Sequence, residues 1–89
     1  MSDEYDFREA QLNMLGYILL RNQMIKEAVE IFKLNTEAYP ESANVYDSLA
    51  EGYLANGNTR LAEENYQKSL ELNPDNQNAR EMLNKLKSK

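Results

Sequence analysis

The sequence contains no cysteine, no histidine and no tryptophan, and only three glycines and two prolines among its 89 residues. Without cysteine, neither a disulfide framework nor a thiolate metal site can support the fold. The usual nucleophile–base pairs of covalent catalysis are missing too, and no motif puts a lysine or a carboxylate in that role. Scarce glycine and proline favour helices over a turn-rich sheet. We therefore expect a small all-α protein that is not an enzyme and holds no cofactor or metal.

The charge is acidic overall and unevenly distributed along the chain. Fifteen carboxylates against ten Lys and Arg residues give a net charge of −5, and no basic cluster offers the counterion release on which nucleic-acid binding depends. Acids gather near the N-terminus and bases near the C-terminus, namely Asp3, Glu4, Asp6 and Glu9 against Arg80, Lys85, Lys87 and Lys89. This distribution suits the dipoles of a first and a last helix. A head-to-tail contact between molecules is the alternative interpretation.

No segment is typical of a membrane span or of a signal peptide. The apolar tract from Leu12 to Leu20 is interrupted by Asn13 and Gly16 and is too short to cross a bilayer. The N-terminus is acidic and lacks an apolar run before a small-residue cleavage site. We expect a soluble chain without membrane insertion. Its compartment is unknown, with the cytoplasm as the default.

A 34-residue repeat is the most informative feature of the sequence. Laying residues 9–42 over 43–76 gives identities at Leu15/Leu49, Leu20/Leu54, Asn22/Asn56, Ala28/Ala62, Glu30/Glu64, Glu37/Glu71 and Pro40/Pro74. A third copy begins at Gln77 and places Leu83 over Leu15 and Leu49. Self-similarity of this kind indicates a solenoid, in which each unit packs against its neighbours. We expect one domain, with an acidic segment 1–8, unit 1 at 9–42, unit 2 at 43–76 and a capping helix at 77–89.

Each unit predicts two helices. Apolar residues recur at spacings of three and four, as Leu12, Leu15 and Leu19 do, and this spacing predicts a buried helix face. Residues that end helices or exclude their continuation follow at Asn22, Pro40, Gly57 and Pro74. Ser42 and Asp75 are the expected N-caps. The predicted helices are 7–21, 25–38, 43–55, 59–72 and 76–87.

These positions resemble the tetratricopeptide repeat, whose units carry a large residue, Leu, Gly, Tyr, Ala, Phe, Ala and Pro at fixed positions. Unit 1 supplies Leu12, Leu15, Gly16, Leu19, Ala28, Phe32, Asn35 and Pro40, and unit 2 supplies Tyr46, Leu49, Ala50, Tyr53, Ala62, Tyr66, Ser69 and Pro74. The resemblance implies a right-handed α-solenoid of two helix hairpins and a capping helix, acting as a protein–protein interaction scaffold. Asn35 and Ser69 replace the family's small apolar residue, so each needs a backbone partner if it is buried.

A narrower resemblance covers the stretch from Lys33 to Tyr53. It is similar to the helical tail that follows some bacterial serine-hydrolase domains of the β-lactamase-like type. The chain itself has no Ser-x-x-Lys and no Gly-x-Ser-x-Gly motif. This resemblance therefore indicates where such a module occurs and brings no catalytic residue with it.

The family binds its partners in a concave groove lined by the first helix of each unit. The matching positions here are Asn13, Tyr17, Leu20, Arg21, Asn44, Asp47, Glu51, Leu54, Asn78, Glu81 and Lys85. One subset of the family grips a C-terminal carboxylate with Lys and Asn residues, but its positions hold Asn13, Tyr17, Ser48, Asn78 and Met82 here, with no Lys or Arg. An apolar strip beside carboxylates instead suits a protein or peptide with apolar and basic residues. An ordinary solvated helix surface is the alternative.

A second surface is indicated on the first helix, where Ala10, Met14 and Ile18 form an apolar row. Terminal units of solenoids normally turn polar residues outward. Either this row belongs to the core or lies under Tyr5 and Phe7, or it docks onto a neighbouring domain or a second copy as a homodimer. The second case predicts a structural or oligomerisation appendage of a larger enzyme.

Overall fold

The computed structural model describes residues 7–88 of the chain. They form five α-helices in the order α1 (Phe7–Arg21), α2 (Ile25–Ala38), α3 (Ala43–Ala55), α4 (Thr59–Leu72) and α5 (Gln77–Lys87). The described part of the chain contains no strand. The predicted all-α class and the helix bounds are confirmed, with only the start of α5 shifted by one residue. The predicted acidic segment 1–8 lies mostly outside the described residues.

The turn inside each unit is made by a residue with positive φ. Gly57 has φ +83°, as its sequence position predicts, because glycine has no Cβ to clash in this conformation. In unit 1 we expected Asn22 in this role, but the positive φ falls on Gln23, at 65°. Asn22 is the first residue after α1; its backbone N–H donates to the Ile18 carbonyl at 3.1 Å, and its side-chain Nδ2 donates to the same carbonyl at 2.9 Å. Gln23 is the residue that stands at the position of Gly57 in the repeat.

The helix caps differ in detail from the prediction. Ser42 does precede α3, but its hydroxyl donates to Glu9 Oε2 at 2.7 Å and caps no backbone N–H. It thereby ties the start of α1 to the connection between the two units. The cap of α5 is Asn76 rather than Asp75, because the Asn76 side chain accepts from the Ala79 N–H at 3.2 Å. This is the usual bond from an N-cap oxygen to the third helical residue.

The core of unit 1 is built around the ring of Phe32, which is completely buried. The ring lies against Gly16 of α1, where a Cβ in place of the glycine hydrogen would come within 2.6 Å of Phe32 Cζ. On its other side lies Gly52 of α3, with the corresponding distance to Cδ2 at 3.0 Å. The Tyr17 ring packs edge-on, 5.1 Å between centroids. The small residues Gly16 and Gly52 let the helices approach closely enough for an aromatic ring to fill the space.

Unit 2 repeats this arrangement, and α5 packs against unit 2 as α3 packs against unit 1. Its buried cluster contains Ala50, Ala62 and Tyr66 together with Ala79 and Leu83 of α5. Tyr66 takes the place of Phe32, and Ala50 takes the place of Gly16. Each second helix therefore packs between the first helix of its own unit and the first helix of the next. This pairwise stacking confirms the predicted helical-repeat architecture.

The two polar residues that depart from the family pattern are buried and make equivalent hydrogen bonds. Asn35 Nδ2 donates to the Glu9 carbonyl oxygen at 3.0 Å, and Ser69 Oγ donates to the Ala43 carbonyl oxygen at 2.8 Å. Glu9 and Ala43 are the first residues of their units. The prediction that each side chain finds a backbone partner is therefore confirmed, although Asn35 Oδ1 is buried without a hydrogen-bond partner among the described residues.

The first helix departs from the predicted core at Leu15. Leu15 is 41% exposed, whereas its equivalents Leu49 and Leu83 are each 5% exposed. Those two are covered by α2 and α4, but no helix precedes α1 among residues 7–88. The predicted row of Ala10, Met14 and Ile18 is exposed as well, with Met14 at 62%. The interpretation of this row as core is wrong, and Tyr5, one of its predicted covers, lies outside the described residues.

Candidate functional site: the face formed by the first helices

A hydrogen-bonded network joins α1 to α3 on one side of the molecule. The Tyr17 hydroxyl donates to Glu51 Oε1 at 3.2 Å and lies 3.3 Å from Ser48 Oγ. Ser48 Oγ in turn donates to Asn13 Oδ1. Because helices bring together residues one turn apart, Asn13 and Tyr17 both point towards α3. These contacts place the two first helices side by side.

The same face continues from α3 to α5 through Asp47. Its two carboxylate oxygens accept from Asn76 Nδ2 at 3.0 Å and from Asn78 Nδ2 at 2.9 Å. Asn76 also donates to Ser69 Oγ at 2.8 Å, so the start of α5 is fixed to both helices of unit 2. We call the surface on which α1, α3 and α5 lie together the α1–α3–α5 face.

The acid–base properties of Tyr17 reflect its half-buried position in this network. Desolvation by burial raises the pKa of its phenol to about 12, and the neighbouring carboxylates of Glu51 and Asp47 add to the increase. The phenol therefore stays neutral at physiological pH and remains a hydrogen-bond donor.

Glu51 is also half-buried and lies beside a second carboxylate. Burial raises the pKa of Glu51 above its ordinary value, and the charge of Asp47 adds to this effect. Hydrogen bonds from Tyr17 and Asn78 act in the opposite direction by stabilising the ionised form. Asp47 and Glu51 thus form a pair of carboxylates, one turn apart on α3, which we call the acid pair.

The hydroxyl group of Tyr66 lies near the acid pair. Tyr66 is completely buried, and its hydroxyl has no hydrogen-bond partner among the described residues. Burial raises its pKa, and Glu51, Asp47 and Tyr17 lie close enough to raise it further. A buried phenol normally finds a partner, so this unpaired hydroxyl next to two carboxylates is unusual.

The remaining predicted groove residues occupy two kinds of position. Leu20 is half-buried and packs against the core of unit 1, while Leu54 is half-buried against the core of unit 2. Four residues are exposed and lie outside the network: Arg21, Asn44, Glu81 and Lys85. The structure therefore brings together Asn13, Tyr17, Asp47, Glu51 and Asn78, which form the polar centre of the α1–α3–α5 face.

Sequence reasoning missed two contributors to this centre. The sequence pattern indicated Asp75 as the N-cap of α5. Asn76 is the actual N-cap, and asparagine is among the residues that this position favours. Tyr66 was read only as the aromatic residue that replaces Phe32. The difference between those two residues is one hydroxyl group, and that difference was the available signal.

The surface is open rather than enclosed. Four clefts on the described part of the chain have volumes of about 320 to 720 Å³, and none is lined by the predicted groove residues. Within residues 7–88, no three metal-ligating side chains come together. In the same range, no helix combines the length and apolar character needed to cross a membrane. An open face with fixed polar groups suits contact with a polypeptide better than capture of a small molecule.

Comparison with known proteins agrees with this architecture. Residues 43–76 match the family model described as tetratricopeptide repeat. This match covers unit 2 from its first residue to its last as the 34-residue offset defines it. No curated protein sequence shows a significant match to the chain.

Residues 43–76 are a tetratricopeptide repeat, and the chain is an all-α helical-repeat protein. Repeats of this family typically form scaffolds for protein–protein interaction and are typically not catalytic. The predicted fold class is therefore confirmed, the predicted family is matched over residues 43–76, and a repeat of this kind suits a protein partner.

Proposed function

We propose that this chain binds a segment of a partner protein across the α1–α3–α5 face. The observation that carries the proposal is the network Asn13–Ser48–Tyr17–Glu51, which holds the side chains of two successive units in one fixed arrangement. A surface that is ordered before binding loses less conformational entropy when a partner docks. The module has no catalytic role in this proposal.

The side chains of the face suit a partner segment that carries both apolar and basic residues. Tyr17, Leu20 and Leu54 are half-buried and expose part of their apolar surface. Asp47 and Glu51 supply negative charge next to this strip. A segment that alternates apolar and basic side chains would match both features, and charge complementarity would also speed its association. The carboxylate-gripping mode of the family is disfavoured, since its positions carry no Lys or Arg.

A random 12-residue peptide library, selected against the purified chain, tests this proposal. Peptides that bind the wild type should bind the double variant Tyr17→Phe, Glu51→Gln at least about tenfold more weakly, which corresponds to about 1.4 kcal/mol. Glu71→Gln is the matched control, because it removes one exposed carboxylate from α4. Circular dichroism would verify that all variants keep their helices. Equal binding by the wild type and the double variant would contradict the proposal.

A second candidate function is docking through α1 as an appendage of a larger enzyme or as a homodimer contact. It is favoured by the exposed apolar side chains of Ala10, Met14, Leu15 and Ile18, which we call the open α1 face. In unit 2 and α5 the equivalents of Leu15 are covered by a preceding helix. A helix from an attached domain or from a second copy would cover this face in the same way. Sedimentation of the wild type and of Met14→Glu tests this candidate.

A further inference from the structure

We propose that the acid pair, Asp47 and Glu51, is the anchoring subsite of the α1–α3–α5 face and takes one positively charged side chain of the partner. This inference rests on the proposed function, because it names the chemical group that the bound segment must present. Its evidence is the arrangement of donors around the two carboxylates and the nearby Tyr66 hydroxyl, which is buried without a hydrogen-bond partner.

Both carboxylates are held in place by neutral donors. Asp47 accepts from the amides of Asn76 and Asn78, and Glu51 accepts from the phenol of Tyr17. No ion pair involves either carboxylate within residues 7–88. A carboxylate offers about four lone-pair sites, so each member of the pair keeps acceptor capacity. The pair is therefore oriented, and no cation among residues 7–88 compensates its charge.

Tyr66 provides an independent observation at the same place. Its hydroxyl is buried and without a partner, although Glu51 and Asp47 both lie near it. A hydroxyl group accepts as well as donates hydrogen bonds. The site thus holds two carboxylates with remaining acceptor capacity and one unpartnered hydroxyl group near them.

A guanidinium group fits this set of acceptors best. It carries five N–H donors in a rigid planar fork and is less strongly hydrated than an ammonium group. Charge-assisted hydrogen bonds to carboxylates are about twice as strong as neutral ones. The preferred anchor is therefore an arginine side chain.

The test uses the tightest peptide from the library selection and replaces its arginine with citrulline. Citrulline has the same shape as arginine but is neutral. We expect this replacement to weaken binding to the wild type about tenfold, and to have an effect below about twofold on the variant Asp47→Asn, Glu51→Gln. Glu63→Gln, Glu64→Gln on α4 is the matched control and should keep the full tenfold effect.

Two results would overturn the inference. One is a selection in which the bound peptides contain no arginine or lysine, or tolerate citrulline at every position. The other is an equal citrulline effect in the wild type and in the acid-pair variant. In either case the proposed function survives if binding still depends on Tyr17. If peptides bind but ignore both Tyr17 and the acid pair, the proposed function fails together with the inference.

Discussion

The Tyr17 hydroxyl donates to Glu51 Oε1 at 3.2 Å, and the two residues stand 34 positions apart. They therefore occupy the same position in unit 1 and unit 2. In a stack of equal units, equivalent positions of successive first helices face the same side and lie next to each other. This contact makes the α1–α3–α5 face a joint product of both units, so a segment bound there would contact more than one unit.

The pKa of Tyr17 predicts a loss of stability at alkaline pH. An unfolded tyrosine has a pKa of about 10, whereas burial raises the pKa of Tyr17 to about 12. Between these values the unfolded chain loses a phenolic proton that the folded protein retains, so the free energy of unfolding falls as pH rises through this window. Below about pH 10 the phenol is protonated in both states, so Tyr17 adds no pH dependence to the free energy of unfolding.

Urea unfolding from about pH 9 to pH 11.5 measures this effect. The free energy of unfolding of the wild type should decrease more steeply than that of Tyr17→Phe, which keeps the ring but cannot ionise. Tyr66, whose pKa is also raised, contributes to the slope in both proteins. Equal slopes would show that the Tyr17 phenol is not buried as described.

Gly16→Ala should destabilise the protein although alanine is the better helix former. Its Cβ would lie 2.6 Å from Phe32 Cζ, and the Phe32 ring cannot retreat because Gly52 lies on its other side. Overpacking destabilises the folded state by about 1–3 kcal/mol, and the higher helix propensity of alanine offsets about 1 kcal/mol of this loss. We expect a net loss of about 1 kcal/mol in urea unfolding. In a Phe32→Leu background the same substitution should become neutral or stabilising. If Gly16→Ala stabilises the wild type, this packing is described wrongly.

Ser69→Ala should cost about 1 kcal/mol of stability, even though the family pattern favours a small apolar residue at this position. The substitution removes the bond to the Ala43 carbonyl and an acceptor of Asn76 Nδ2. Because Asn76 is the N-cap of α5, the loss of its bond to Ser69 should reduce the order of the start of α5. Thermal unfolding measures the first effect, and amide hydrogen exchange of residues 77–80 measures the second. Unchanged exchange in α5 would contradict the role given to Ser69.

The open α1 face predicts self-association if a second copy is its occupant. Wild-type protein at about 100 μM should then sediment as a dimer, and Met14→Glu should sediment as a monomer, because a buried carboxylate at the centre of the contact is costly. Leu34→Glu is the matched control, since Leu34 is an exposed leucine on α2. A monomeric wild type would exclude the second copy and leave an attached domain as the occupant.

The sequence predicted those features of the fold that depend on the spacing of residues within one unit. The 34-residue offset located the helices, and the family pattern indicated that Asn35 and Ser69 need backbone partners, because both features depend only on the unit itself. The repeat pattern did not predict burial correctly where burial depends on the helix packed against the unit. Leu15 carries the same pattern as Leu49, yet its exposure is decided by whether a helix precedes α1.

The polar centre was predicted only as a set of positions. The groove residues followed from the family resemblance, but nothing in the spacing indicated that Tyr17 would bond to Glu51 or that Asp47 would hold both Asn76 and Asn78. Such contacts depend on rotamers and on the distance between successive helices. Periodicity fixes neither of these.

The most direct test of the α1–α3–α5 face is a heteronuclear NMR titration of the labelled chain with the library-selected peptide. We expect the largest shifts at Tyr17, Glu51 and Leu54 and at the side-chain amides of Asn13 and Asn78, with small shifts on α2 and α4. Shifts centred instead on Met14, Leu15 and Ile18 would assign binding to the open α1 face and contradict the account.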